Sequence, residues 1–221
     1  MAKSRPLPDW LPYVAPMVVF LAITAGLEGN FPQYYPLIYM GKVLVVGSLL
    51  WVFRCTWKDY YWEPKTYLIA AVIGLATFAL WIGLEQIKYP HVLGTRTAYN
   101  PWKEIPEDGL RMAFLATRFF GLLLLVPWME EIFWRSFVLR YATKPDFLSL
   151  KLDEFSTQAL LIMAGLFGLA HPEWLPAVLT AVIYAELLRR TKSLSACFVA
   201  HAVTNLALGI YVVTQRQWQF W

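Results

Sequence analysis

Apolar residues in this chain gather into seven windows, at 11–27, 35–53, 67–84, 110–128, 157–170, 174–188 and 194–213, separated by polar and aromatic stretches. A helix of about twenty residues crosses roughly 30 Å of hydrocarbon, so most of these windows predict membrane spans. The fifth and sixth are short, which suits helices packed around a polar cavity inside a bundle rather than facing lipid alone. The predicted fold is all-α: a polytopic transmembrane helical bundle of about seven spans, or eight, with a polar intramembrane cavity. The fourth window departs from the rest. Its apolar run continues past Pro127 into Glu130, Glu131, Arg135 and Arg140. That predicts a kinked helix of about thirty residues, carrying its acids from mid-membrane toward one interface.

Composition agrees with this pattern. Of 221 residues, 58% are hydrophobic and 15% charged, and the mean hydropathy is +0.47, too apolar for an ordinary soluble domain of this size. Aromatic residues crowd the ends of the apolar windows, at Trp10, Trp51, Trp57, Tyr60, Tyr61, Trp62, Trp81 and Trp218, as in interfacial belts. The chain reads as one integral membrane domain over 1–221. Within it, 1–109 supplies N-terminal spans and a long loop, and 110–214 supplies the polar-bearing helices. The charged start, Lys3 and Arg5, is followed by Pro6, Pro8, Asp9 and Trp10 with no small-residue cleavage site after Leu27, so the first window reads as a retained span.

The net charge of +4 gives no continuous basic face, and a nucleic-acid partner is excluded on that ground. The bases are topology signals instead. Lys3 and Arg5, then Arg54, Lys58 and Lys65, then Arg140, Lys144 and Lys151, then Arg189, Arg190 and Lys192 fall on one side, which the positive-inside rule makes cytoplasmic, N-terminus included. The loop from Glu28 to Tyr34 has no base. The loop from Glu85 to Gly109 balances Lys88, Arg96 and Lys103 with acids, and its length and Pro90, Pro101 and Pro106 predict an irregular cap over the bundle. Cys55 and Cys197 have neither CxxC spacing nor a disulfide context.

Charge inside an apolar run costs about 2.5–3.5 kcal/mol per group at mid-bilayer, so such groups usually face a bundle interior and mark function. Glu131 and Arg135 stand four apart on one helical face and can pair, whereas Glu130 projects about 100° away. The spacing separates a braced acid from a free one; a solvated helix-end salt bridge is the plainer alternative. His171 ends the fifth window before Pro172, with Phe167 one turn back. A capping or interfacial role would explain it equally well. His201 and Asn205, at i and i+4, form a polar patch on an apolar helix, which serves either as an interhelical clamp or as part of a site. Two histidines, a free glutamate and an amide need partners, and one shared site is the cheapest solution. Such a set can run hydrolysis: a glutamate and a histidine activate a water, and a second histidine and an amide stabilise the oxyanion. Ser195 and Cys197 lie near His201, but no acid completes a triad. Glu130, His171 and His201 could also hold zinc, although HExxH is absent. Among the remaining charges, Glu173 reads as a partner of a helix dipole, Glu186 with Arg189 and Arg190 as a cytoplasmic helix end, Lys42 as a side chain snorkelling outward, and Arg118 as facing the bundle toward an acid.

Three ordered motifs, Glu130-Glu131-x-x-x-Arg135, Phe167-x-x-x-His171 and His201-x-x-x-Asn205, resemble those of the CAAX prenyl endopeptidase and bacteriocin-processing (CPBP, or ABI) family of intramembrane proteases. The text from Val126 to Tyr141 is similar to the bacterial subgroup of CAAX prenyl protease-related proteins, often associated with exosortase systems. The resemblance implies an enzyme of the bacterial cytoplasmic (inner) membrane whose cavity opens toward the cytoplasm and the lipid. It implies that Glu130 and His171 activate water, that His201 and Asn205 stabilise the oxyanion, and that Glu131, Arg135 and Phe167 support them. The implied partners are membrane lipid and a peptide or protein substrate, lipidated and CAAX-like or not. No cofactor and no metal is expected. The family also includes immunity and scaffolding roles, the competing reading.

Overall fold

The computed structural model describes residues 7–87, 89–92, 94 and 96–220. Lys3, Arg5, Pro6 and Lys88, used above for topology, the first window and loop charge, lie outside them. Among the described residues the molecule is built from seven long helices: α1 (Leu11–Glu28), α2 (Pro32–Val52), α3 (Pro64–Glu85), α4 (Asp108–Thr143), α5 (Thr157–Leu169), α6 (Trp174–Thr191) and α7 (Leu194–Gln215). They carry no strand. Five of them, α1 to α4 and α7, are long and apolar enough to cross a membrane. The 13 residues of α5 span only about 20 Å at 1.5 Å per residue; one face, with Ala159, Met163, Ala164, Phe167 and Gly168, is buried in the bundle, and Leu161 and Leu169 are exposed.

Burial is inverted relative to a water-soluble protein. Leu44, Leu68 and Leu169 are 71%, 79% and 67% exposed, while Glu131 and Arg135 are fully buried. Apolar side chains therefore face where lipid would lie, and the polar ones turn inward. The helix starts follow local chemistry. Glu107 accepts a hydrogen bond from the Leu110 N–H at the start of α4, Ser156 from Ala159 at α5, and Ser193 from Ala196 at α7, each satisfying an otherwise orphaned donor. Both α6 and α7 stop where Lys192 and Arg216 turn left-handed.

The helix α4 is not uniform. Two π-helical stretches, Gly121–Leu125 and Glu131–Val138, flank a single α-turn, Val126–Glu130. The Val126 N–H reaches back five residues to the Gly121 carbonyl, and Pro127 has no N–H to give the Leu122 carbonyl behind it. The expected break at Pro127 is thus absorbed by widened turns on both sides. Close packing elsewhere needs glycine. A Cβ on Gly74 of α3 would run into the Ala200 carbonyl of α7, and this approach lets the Thr204 hydroxyl donate to the Gly74 carbonyl at 2.7 Å.

Tertiary contacts sort the loops to two ends. At one, Arg140 pairs with Asp59 at 2.9 Å, Lys192 with Asp153 at 3.6 Å, and Ser195 donates to the Tyr61 carbonyl. This end gathers the basic loops. At the other, Arg96 pairs with Glu173, the Trp174 indole donates to the Pro90 carbonyl, and Trp102 lies against Trp218.

Candidate active site

Glu130 closes the α-turn of α4 and Glu131 opens the π stretch that follows. Widened turns of this kind recur at functional sites. Their two side chains have different surroundings. The Glu131 Oε1 accepts from Arg135 Nη1 at 3.1 Å and from His201 Nδ1 at 2.9 Å. The Arg135 guanidinium lies 5.0 Å from the Phe167 ring and 5.3 Å from that of Tyr184, so aromatic faces supply part of its partnership. Glu130 is buried, and its Oε2 has no hydrogen-bond partner; the His201 Nε2 stands 4.0 Å from it, beyond hydrogen-bond reach.

The bonds on the two histidines set their tautomers. A carboxylate only accepts, so the His201 Nδ1 that meets Glu131 carries the proton and its Nε2 points toward Glu130. The His171 Nδ1 meets the Phe167 carbonyl at 2.8 Å, so its proton sits there and its Nε2 keeps a lone pair. The Phe167 ring stacks on His171 at 4.5 Å, and that of Trp81 meets it edge-on at 6.0 Å. Phe167 thereby links Arg135 on one side to His171 on the other. Asn205 Nδ2 donates to the Leu122 carbonyl at 3.0 Å, the acceptor that Pro127 leaves unserved, and a second amide N–H remains. Tyr184 packs 5.9 Å from His201 and its hydroxyl bonds Thr204 at 2.6 Å.

Glu130, Phe167, His171, His201 and Asn205 line one cavity of about 710 Å3. Glu131 and Arg135 stand behind its wall. The cavity runs from mid-bundle to Glu28 at the end of α1, Gly29, Pro32 at the start of α2, Arg96, Thr97 and Tyr99 of the long loop, and Pro172 and Glu173 between α5 and α6. All of these lie at the end opposite the basic loops. Among the described residues no three His, Cys, Asp or Glu side chains are grouped to hold a metal ion. Glu130, His171 and His201 share the cavity without the grouping a zinc ion needs.

Several charges sit differently from their sequence reading. Lys42 does not snorkel: it is buried, with Nζ 2.7 Å from Glu28 Oε1 and 2.9 Å from the Thr24 hydroxyl. The lipid-facing route is blocked because α2 turns this side chain onto α1. Glu173 stands at the N-cap of α6, where the dipole reading places it, and is in addition a buried partner of Arg96, whose Nε lies 2.9 and 3.1 Å from its two oxygens. Arg118 does face the bundle, with its guanidinium 4.6 Å from the Tyr39 ring on the cavity wall it shares with Glu28. Lys42 and Glu28 carried a signal, since a charge inside the second apolar window needs a partner and Glu28 stands at the end of the first. Arg96 carried none, being one base in a polar loop.

No curated protein and no solved structure matches the chain. Residues 112–207 match the family model of the type II CAAX prenyl endopeptidase, Rce1-like. That segment contains every motif residue of the cavity. Over that segment the chain is similar to the CAAX-type membrane endopeptidases.

Proposed function

We propose that this protein is an intramembrane endopeptidase that hydrolyses a peptide bond with a water activated by Glu130 and His171. The observation that carries the reading is the Glu130 carboxylate: buried, with one oxygen unpartnered, on a cavity shared with two histidines and an amide. A buried polar atom without a partner needs an explanation, and a water held between Glu130 and the lone pair of His171 Nε2 supplies one. The water oxygen attacks the carbonyl carbon while its proton passes to Glu130. The oxyanion is met by the second N–H of Asn205 and by His201, which Glu131 holds in place through the Nδ1–H. The proton on Glu130 then goes to the departing amine. No step runs through a metal, and no cofactor is required. Glu131 and Arg135 hold the π stretch, and Phe167 holds His171.

The competing reading, a non-proteolytic immunity or scaffolding protein, draws on the Asn205 bond to Leu122, which is a helix clamp. It leaves the unpartnered Glu130 unexplained. Comparison of membrane peptides from cells carrying the wild type and Glu130→Gln decides between them. The protease reading expects one membrane-associated peptide or protein to accumulate uncut in the variant; identical peptide profiles would sink it. The native setting proposed is a bacterial cytoplasmic membrane, with an exosortase-type system as a candidate associate.

A further inference from the structure

Three observations bear on how a substrate reaches Glu130. The first is charge. Arg54, Lys58, Lys65, Arg140, Lys144, Lys151, Arg189, Arg190 and Lys192 belong to the end whose loops are tied together by Asp59–Arg140, Asp153–Lys192 and Ser195–Tyr61. The opposite end has Arg96, Lys103, Arg111 and Arg216 among the described residues. By the bias of Lys and Arg near span ends, the first is the cytoplasmic end.

The second is the course of the cavity, which leaves mid-bundle toward Glu28, Thr97 and Glu173 at the other end. The third is what fills the cytoplasmic side. The loop after α2 folds back into the bundle, where the Tyr60 ring lies 4.4 Å from Trp128 and its hydroxyl donates to the Trp128 carbonyl at 2.9 Å. Trp57 and Phe198 meet the same indole at 5.4 and 5.5 Å. Four aromatic side chains thus pack two residues before Glu130, and none of them lines the cavity. A close-packed aromatic layer admits no peptide without repacking.

We propose that the site is entered from the face of the membrane opposite the basic loops, so that the peptide it takes is one presented on the non-cytoplasmic side. This rests on the protease reading for its substrate, but the route itself is read without turnover. The native Cys55 is exposed at the basic end, and Cys197 is buried. In a Cys55→Ser background, Thr97→Cys places a thiol at the mouth, and Leu208→Cys or Phe78→Cys places one on the inner cavity wall. Spheroplasts expressing each protein are treated with a membrane-impermeant cationic thiosulfonate before and after permeabilisation.

The expected result is labelling of Thr97→Cys and of at least one inner-wall cysteine in intact spheroplasts, with Cys55 of the wild type labelled only after permeabilisation. Labelling of both inner-wall cysteines only after permeabilisation, or of neither under any condition while Thr97→Cys reacts, overturns the proposed route. Labelling of Cys55 in intact spheroplasts overturns the assignment of sides. If labelling is as expected and no peptide is cut, the protease reading fails and the route stands.

Discussion

Replacing each of the two adjacent glutamates with glutamine separates the roles assigned to them. In Glu131→Gln the amide oxygen can still accept from the His201 Nδ1–H, but the counter-charge of a fully buried Arg135 is gone. That guanidinium already has Nε and Nη2 without hydrogen-bond partners, so it has no alternative acceptor to turn to. Removing one member of a buried pair costs about 3–5 kcal/mol. At about 2–4 °C per kcal/mol for a chain of this size, the unfolding midpoint should fall by roughly 6–20 °C. Glu130→Gln removes a charge that accepts no bond at Oε2 and stands 4.0 Å from His201, so its midpoint should move by no more than about 2–4 °C, the equivalent of about 1 kcal/mol. Thermal unfolding of the purified proteins in detergent, followed by near-ultraviolet circular dichroism, gives both values. Equal losses of midpoint in the two variants, or a larger one in Glu130→Gln, would refute the division between a braced and a free acid.

Asn205→Ala should lower cleavage by roughly 100-fold or more, the loss typical of one oxyanion donor, and Asn205→Asp should not restore it, since a carboxylate has no N–H to give; initial rates on a cleaved peptide check both. Gly74→Ala should destabilise by about 1–3 kcal/mol, because its Cβ meets the Ala200 carbonyl, and denaturation midpoints read this directly. Treatment with a zinc chelator should leave the cleavage rate unchanged, whereas full loss restored by added zinc would reinstate the metal reading.

The helices were legible because hydropathy and membrane thickness act locally, on each window by itself. The Glu131–Arg135 pair was legible for the same reason: four residues on one helix fix it. His201 on Glu131, Arg96 on Glu173 and the aromatic layer around Trp128 were not, since each joins residues 70 or so apart in sequence whose meeting depends on how whole helices pack. Pro127 signalled a break in α4 without saying how it is made, because the choice between a kink and flanking π turns rests on partners such as Asn205. The direction of the cavity was hidden for a related reason. Motif residues report where polar groups converge, and only the loops that close each end decide from which side they can be reached.

The measurement that bears most directly on the central claim is the cleavage rate of Glu130→Gln against the wild type, both reconstituted in lipid vesicles with the peptide found uncut in cells carrying the variant. The account predicts a fall of at least about 100-fold, the contribution of a positioned general base, with the unfolding midpoint held. A variant that cuts within about threefold of the wild-type rate would contradict it.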